Sequence, residues 1–367
     1  MVLNRVKNVI VCGTPWQIME AINIVVNNVE ECKGQMDMFM LANFDNAKEL
    51  LSKLKSEEIF NHIFFCPKLD LNKEPSTIVK LKRLFFPRCG FKDYNVDYEY
   101  IRENYYEKIF ITSDCLIGRA IKSENKNGIV YLYDDGVGTY VGNILTSNKS
   151  KVYEAIVKRF CIGPYLYQIK KVYVNCKMLC KNLISNNVEE LPKLKPESKT
   201  VQIAKRVFQF SGDSMLPAYR FIILEQPLER TKGYNGNSLE ILYKGQDSEL
   251  FLVRKHPRKK LSIKGGVKND TTNNMWELEC IFNVSEEHVL IAHCSTAQLT
   301  PKTVAGKEPY IIFAYYLFFE KDSKEVEQCE EMVRSFTEIY KRKDKIFVPR
   351  NLEEYDKLIW SLIKKDI

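Results

Sequence analysis

Two acidic residues follow a short apolar run near the middle of the chain. Residues Ile129–Tyr133 are β-prone, and Asp134, Asp135 and Gly136 come directly after them. Ligands of parallel α/β sheets bind beyond the carboxyl ends of the strands, so a carboxylate here can remove a proton from a bound substrate. Adjacent side chains on extended backbone point to opposite sides, so one carboxylate can face the ligand while the other bonds to the protein. Gly136 allows a tight turn. An ordinary acidic turn is the alternative interpretation.

A basic segment follows a second apolar run, Leu250–Val253. Arg254, Lys255, His256 and Pro257 come next, and three more basic residues follow them. His256 is one of only four histidines. Its cationic neighbours favour an anion such as a phosphate, which in turn favours a proton on the imidazole ring. The alternatives are a histidine that caps a basic loop and a basic patch that binds nucleic acid.

Hydroxyl side chains begin a predicted helix after a third apolar run, Val289–Ala292. Ser295 and Thr296 can cap this helix, and a helix N-terminus that carries hydroxyls is an anion site. Capping without any ligand is the alternative. Glu277 lies near another predicted helix start, where its carboxylate can bond a ribose or simply face solvent.

The first predicted strand is followed by a second set of candidates. Thr14 as the N-cap and Pro15 as the first helical residue predict a helix start. Thr14 and Gln17 are candidates for the same site only because they follow a strand. The chain has no G-x-G-x-x-G, G-x-x-x-x-G-K-[ST], H-E-x-x-H or G-x-S-x-G motif. Their absence argues against a dinucleotide enzyme, a P-loop enzyme, a zincin protease and an α/β-hydrolase.

These motifs lie on elements that alternate between strand and helix. In the first half the predicted strands are 9–12, 36–41, 60–66, 108–112 and 129–133, and the predicted helices are 16–26, 47–54, 76–86 and 115–121. In the second half the predicted strands are 220–224, 250–253, 289–292, 310–314 and 346–348, and the predicted helices are 324–340 and 352–365. This alternation indicates βαβ units and parallel sheets.

Length and composition fit two globular domains. The chain has 367 residues, of which 45% are hydrophobic and 12% aromatic. A polar, proline-bearing stretch within 191–219 predicts the domain boundary. We expect an N-terminal domain over 1–200, a C-terminal domain over 201–350 and a C-terminal helix over 351–367, with the two sheets facing one cleft. That cleft would join the acidic pair to the histidine.

Cysteine content and charge indicate the compartment and the partners. Eleven cysteines without regular spacing favour reduced thiols in a cytoplasm. The net charge of +8 favours anionic partners, although lysine-rich solvated faces explain it equally well. The longest apolar stretch, Tyr310–Phe319, is about half a membrane span. We expect peripheral contact with the inner membrane surface at most. The chain has no nucleic-acid recognition motif, so we expect no nucleic-acid partner.

The order of these short motifs resembles bacterial sialyltransferases, most closely glycosyltransferase family 52, whose members build lipooligosaccharide and capsular glycans. The matching residues are Thr14-Pro15-Trp16-Gln17, Asp134-Asp135-Gly136, His256-Pro257 and Ser295-Thr296. The segment Phe221–Pro227 is also similar to the first strand and loop of the family's second domain. The resemblance implies a GT-B fold, with two Rossmann-like domains and parallel sheets facing a central cleft.

The resemblance also implies a reaction. Sialic acid would pass from CMP-sialic acid to a galactoside with inversion at the anomeric carbon, and no metal or other cofactor would be required. Asp134 would be the base and Asp135 would support it, although which of the two is the base stays open. His256 would meet the donor phosphate. The other residues implied at the donor site are Gly136, Arg254, Pro257, Glu277, Ser295 and Thr296.

Two alternatives stay open at this stage. Another GT-B transferase that uses UDP-glucose, UDP-galactose or a similar donor shares the cleft and the phosphate-binding logic. A basic nucleic-acid-binding protein has weaker support. The sequence does not determine the acceptor, the linkage position or the oligomeric state. A dimer is the favoured oligomer.

Overall fold

The computed structural model describes residues 7–67, 76–141, 151–180, 187–228, 231–256 and 266–364. The chain forms two compact units, Met1–Gln209 and Phe210–Ile367. The division falls inside the 191–219 stretch and nine residues beyond the expected end at 200, because the helix Lys199–Val207 packs on the first helix of the N-terminal unit. The C-terminal helix belongs to the second unit.

The first unit is built on a parallel sheet with the order β3-β2-β1-β4-β5-β6-β7. Its strands among the described residues are β1 Asn8–Cys12, β2 Met36–Leu41, β3 Ile63–Cys66, β4 Lys108–Ile111, β5 Ile129–Tyr133, β6 Ile169–Val174 and β7 Val188–Glu190. The sequence predicted the first five and stopped at Tyr133. The last two were missed because their polar residues, including Lys170, Lys171, Glu189 and Glu190, hide the apolar run.

Helices connect these strands as expected for βαβ units. Those described are α1 Pro15–Val26, α2 Ala47–Ser56, α3 Thr77–Phe85, α4 Cys89–Asp93, α5 Tyr98–Glu103, α6 Leu116–Glu124, α7 Val137–Val141, α8 Lys151–Arg159 and α9 Lys199–Val207. The predicted helices α1, α2, α3 and α6 are confirmed to within three residues at each end. The five others are short or carry mixed charge, so their periodicity is weak.

The second unit contains a parallel sheet with the order β10-β9-β8-β11-β12-β13. Its described strands are β8 Phe221–Leu224, β9 Phe251–Arg254, β10 Lys268–Asn269, β11 Val289–Ala292, β12 Tyr310–Phe313 and β13 Ile346–Phe347. Its described helices are α10 Trp276–Phe282, α11 Thr296–Ala305, α12 Lys324–Ile339 and α13 Leu352–Lys364. The two-residue strand β10 was not predicted, since two residues carry no pattern.

Both sheets are buried on both faces, which explains their nearly continuous apolar strands. Every residue of β1, β2, β8, β11 and β12 is buried. Aromatic rings stack across neighbouring strands, with Phe110 and Tyr131 centroids 5.0 Å apart in the first unit and Phe221 and Phe251 centroids 4.8 Å apart in the second. This packing holds the ends of the strands in place, and the candidate residues follow those ends.

All eleven cysteines are free thiols. Among the described residues, none of the helices has the length and apolar character needed to span a bilayer.

Candidate functional site

The carboxyl end of the first sheet gathers side chains from three adjacent strands. Gln17 follows β1, Thr112 follows β4 and Asp135 follows β5, and the strand order reverses between β1 and β4. The Gln17 amide donates to Thr112 Oγ1 at 3.1 Å and to Asp135 Oδ1 at 2.6 Å. The structure therefore brings Gln17 and Asp135 together at the switch point where ligands of such sheets bind.

The start of α1 holds Gln17 in place. Thr14 is the N-cap and accepts from the Gln17 backbone N–H at 3.2 Å, and Pro15 is the first helical residue, as predicted. The Gly13 N–H donates to Gln17 Oε1 at 2.5 Å. Because the carbonyl oxygen of the Gln17 side chain is engaged by Gly13, its NH2 group must point toward Thr112 and Asp135. Thr14 thus acts on the site through the helix start.

Asp134 is a buried structural carboxylate. Its side chain is 1% exposed and accepts bonds from the Gly136 N–H at 2.7 Å, the Asn175 N–H at 3.0 Å, the Asn175 side-chain amide at 3.0 Å and the Tyr140 hydroxyl. Burial raises the pKa of Asp134, and these hydrogen bonds oppose the rise. These four donors within the protein favour Asp135 over Asp134 as the base, a choice that the sequence leaves open.

Asp135 has the accessible carboxylate of the pair. Its side chain is exposed, while its backbone N–H donates to Thr139 Oγ1 at 2.8 Å. The turn depends on Gly136, whose φ of +88° lies in the left-handed region. This turn separates the two neighbouring carboxylates. The Asp134 carboxylate is hydrogen-bonded inside the protein, whereas the exposed Asp135 carboxylate accepts a hydrogen bond from Gln17.

The loop after β8 links two predicted motifs in the second unit. The His256 N–H donates to Glu225 Oε2 at 3.4 Å, and Gln226 Nε2 donates to Ser295 Oγ at 2.8 Å. Strand β8 lies between β9 and β11, so its last residues reach both neighbours. Glu225 and Gln226 lie within the segment Phe221–Pro227, but the sequence analysis gave them no role. They are the residues that connect the two motifs.

Ser295 and Thr296 begin α11, as the sequence predicted. Ser295 is the N-cap in a capping box: its Oγ accepts from the Ala297 N–H at 3.2 Å, and its own N–H donates to Gln298 Oε1 at 3.1 Å. With Gln226 as a second donor, the Ser295 oxygen accepts twice. Its own O–H proton has no recorded acceptor among the described residues. Thr296 is exposed at the first helical position.

Arg254 is held within the protein. Its guanidinium donates to Asp270 Oδ2 at 2.5 Å and to the Asn274 carbonyl, and it lies 5.2 Å above the Trp276 ring. The indole N–H of Trp276 donates to the Ala297 carbonyl at 2.8 Å. The Arg254 charge is thus paired with Asp270, and its expected contact with a donor stays a prediction.

Glu277 lies in the first turn of α10. It is partly buried, and burial raises its pKa from 4.5 to about 7, with Arg254 opposing the rise. A carboxyl group with this pKa can exist protonated near neutral pH, where it both donates and accepts hydrogen bonds. Its neighbour Glu279 is a structural residue that accepts from Ser214, Asn274 and Asn283.

Pro257 lies outside the described residues, as do the basic residues at 258–260. Within the described part of the chain, no three metal-ligating side chains converge on one point. The other residues that sequence reasoning missed are Thr112, Tyr140 and Asn175. No pattern marks them, since they are ordinary residues after a strand or within a helix, and only pairing of β4, β5 and β6 brings them to the acidic turn.

Comparison with known proteins supports the fold. No protein-family profile matches the chain, and no curated protein matches it. Among solved structures, the glycotransferase of kitacinnamycin is similar with a TM-score of 0.51 at 7% identity, covering 98% of this chain and 91% of that chain. MurG of Acinetobacter baumannii has a TM-score of 0.44 at 12% identity, covering 97% and 90%. UDP-GlcNAc 2-epimerase from Neisseria meningitidis has a TM-score of 0.45 at 13% identity, covering 98% and 100%.

The chain has the GT-B type of fold, with two Rossmann-like parallel sheets, as the resemblance implied. At these identities the likeness concerns the fold, because one fold carries many activities and a function must be argued from the site.

Proposed function

We propose that this chain is an inverting, metal-independent sialyltransferase that moves sialic acid from CMP-sialic acid to a galactoside of a surface glycan such as lipooligosaccharide or capsule. The observation that carries the proposal is the accessible Asp135 carboxylate, oriented by Gln17 at the carboxyl end of a Rossmann-like sheet. A general base must be both reachable and held in position, and Asp135 satisfies both conditions.

The second unit supports the donor half of the proposal. His256, Ser295 and Thr296 all follow the carboxyl ends of its strands. The His256 N–H bonds to Glu225, and the adjacent Gln226 bonds to the Ser295 hydroxyl. The Ser295 O–H and the start of α11 suit a phosphate, which would be the phosphate of CMP. The carboxyl group of Glu277 suits a ribose hydroxyl, and Arg254 positions the start of α10 that bears it.

The proposed step is a single displacement. The acceptor oxygen attacks the anomeric carbon of sialic acid and forms a C–O bond while Asp135 takes the hydroxyl proton. The bond from that carbon to the phosphate oxygen breaks, and its electron pair leaves with CMP. His256, Ser295 and Thr296 stabilise the charge on the departing phosphate. The sugar passes through a cationic oxocarbenium-like state, which the nearby carboxylate also stabilises.

The compartment in this proposal is the cytoplasm. Free thiols at all eleven cysteines suit a reducing environment. The acceptor, by this reading, is a glycan assembled at the inner membrane surface.

The test is a donor screen on the full-length chain. CMP-sialic acid, UDP-glucose, UDP-galactose and UDP-GlcNAc are each incubated with a panel of galactosides in excess EDTA. Nucleotide release and product mass are measured, and the anomeric configuration of the product is read by NMR. We expect CMP release and one added sialic acid, with inversion and no loss of rate in EDTA.

Transfer from a UDP-sugar without use of CMP-sialic acid would replace this proposal by the alternative GT-B transferase. Conversion of UDP-GlcNAc to an isomer of the same mass would indicate an epimerase. Retention of the anomeric configuration would exclude direct displacement assisted by Asp135.

A further inference from the structure

Helix α3 turns apolar side chains toward solvent. Ile78 is 78% exposed, Leu81 49%, Phe85 47% and Phe86 68%. At 3.6 residues per turn, Ile78, Leu81 and Phe85 share one face of the helix. Leu84 is the buried residue of α3 and attaches it to the protein. The helix thus has an apolar stripe directed away from the core, and such a stripe marks an interaction surface.

Positive charge surrounds this stripe. Residues 76–92 contain five basic side chains and no acidic one. Arg83 pairs with Asp93 at 2.9 Å and Arg88 with Glu124 at 2.8 Å, so those two charges are partly balanced. Lys82 is exposed and lies one helical turn after Ile78. A short amphipathic helix with exposed Leu and Phe and flanking lysines is typical of a segment that lies in a membrane interface.

A second exposed apolar pair lies on the same layer of the first unit. Ile156 of α8 is 45% exposed and Phe160, just after that helix, is 63% exposed. They accompany the exposed Lys158 and Arg159. Packing is continuous from α3 to α4, from α4 to α6, and from α6 through the turn Gly163–Leu166 to α8. The α3 and α8 patches therefore belong to one connected helical layer, called here the α3–α8 face.

We propose that the α3–α8 face docks on a lipid bilayer that contains anionic lipid. The apolar side chains would enter the headgroup region while the surrounding basic residues meet lipid phosphates. A second copy of the chain is a poorer occupant, because pairing two such faces would oppose basic residues with basic residues at short range. The inference is independent of the sugar transferred, since it uses no residue of the proposed donor or acceptor site.

The test is vesicle sedimentation with the full chain and no sugar nucleotide. Vesicles of phosphatidylcholine mixed with phosphatidylglycerol are compared with vesicles of phosphatidylcholine alone, each over a range of salt concentrations. We expect binding to the mixed vesicles, binding at least about tenfold weaker to the neutral ones, and weakening by salt. The triple variant Ile78→Gln, Leu81→Gln, Phe85→Gln should lose about tenfold or more of the mixed-vesicle affinity.

The matched control is Trp360→Gln. Trp360 is an apolar residue of the second unit with 59% exposure. Its substitution should leave vesicle binding unchanged. All variants change exposed positions, so circular dichroism and the melting temperature should stay near those of the parent chain.

Three outcomes would overturn the inference. The first is failure of the parent chain to bind mixed vesicles at low salt. The second is parent-like binding by the triple variant. The third is loss of binding by Trp360→Gln instead of by the triple variant. Loss of a concentration-dependent dimer in the triple variant, with no vesicle binding by the parent, would assign the face to self-association instead. A chain that binds vesicles but does not use CMP-sialic acid would keep this inference and lose the proposed function.

Discussion

The carboxyl ends of the two sheets carry opposite chemistry on similar scaffolds. In the first unit, Gln17 orients the exposed carboxylate of Asp135 at 2.6 Å, beside the buried carboxylate of Asp134. In the second unit, the corresponding edge carries His256 and the hydroxyl of Ser295. A Rossmann-like sheet supplies ordered strand ends, and the residues placed there differ between the units: a carboxylate in the first, and an imidazole and a hydroxyl in the second.

The comparison also separates supporting groups from exposed ones. Each unit has a charged side chain that is hydrogen-bonded within the protein. This residue is Asp134 in the first unit and Arg254 in the second. Asp134 is next to Asp135, which has an exposed side chain, and Arg254 is two residues from His256. A charge in a motif therefore says little about its role until its partners are known.

The largest expected effect is on Asp135. Replacing it with Asn removes the proposed base, so transfer should fall by about 10³ while the dissociation constant for CMP stays unchanged. Gln17→Ala, which removes only the orienting amide, should cost less, about tenfold. Steady-state transfer and calorimetric CMP binding measure the two effects. Full turnover by Asp135→Asn would end its assignment as the base.

The second effect belongs to His256. His256→Ala should reduce kcat/KM by about 10² and weaken CMP binding as well, because the ring acts on the donor phosphate. His288 provides the matched control, since its ring is bonded to Ser285 and to the Leu216 carbonyl within the fold. His288→Gln should change thermal stability and leave CMP affinity as it is. Equal CMP binding by His256→Ala and the parent would contradict the assignment.

Asp134 should matter for stability. In Asp134→Asn, the new NH2 group faces donors from Gly136 or Asn175, so the free energy of unfolding should fall by about 3 kcal/mol. Tyr140→Phe removes only one of the four donors to Asp134 and should cost about 1 kcal/mol. Denaturant unfolding measures both. If Asp134→Asn unfolds like the parent and only transfer is lost, the roles of the two aspartates are reversed.

Ser295 should combine a small stability effect with a binding effect. Ser295→Ala removes the N-cap of α11 and should cost about 1 kcal/mol. CMP binding should also weaken by several-fold, by the loss of one hydrogen bond. Ser323, the N-cap of α12, accepts from the Val326 N–H at 3.3 Å and is the matched control. Ser323→Ala should lose similar stability with unchanged CMP affinity; a parallel loss of CMP binding would show that capping alone explains Ser295.

The smallest expected effect is a pH dependence that differs between the units. Burial raises the pKa of Asp37 to about 6 in the first unit and that of Glu277 to about 7 in the second. A raised carboxyl pKa means that the folded chain binds more protons than the unfolded one, so stability falls as pH rises through this window. Asp37→Asn should flatten the fall between about pH 4 and 6, and Glu277→Gln should flatten it up to about pH 7. Unfolding measured over this pH range tests both, and unchanged slopes would mean that neither group titrates as inferred.

Much of the fold follows from the sequence. The apolar runs of β1, β5, β11 and β12 are visible as strands because burial on both faces demands nearly continuous apolar residues. The helix starts at Thr14 and Ser295 are readable because capping is a contact between residues two or three positions apart. The strand β6 and the edge strands β7 and β10 were not predicted, since partial exposure or brevity removes the apolar signal.

The local sequence determines the position of each polar residue at the end of a strand or the start of a helix. The long-range packing determines which partners its side chain bonds. Asp134 and Asp135 are identical in type and adjacent, so no pattern distinguishes them. Asn175, directly after the neighbouring strand β6, donates to Asp134, and Gln17, from the first helix, donates to Asp135. The same holds for Arg254, which Asp270 neutralises from the next strand over. Hydrogen bonds and burial depend on distances in space. The type of a single residue and its neighbours along the chain do not give those distances.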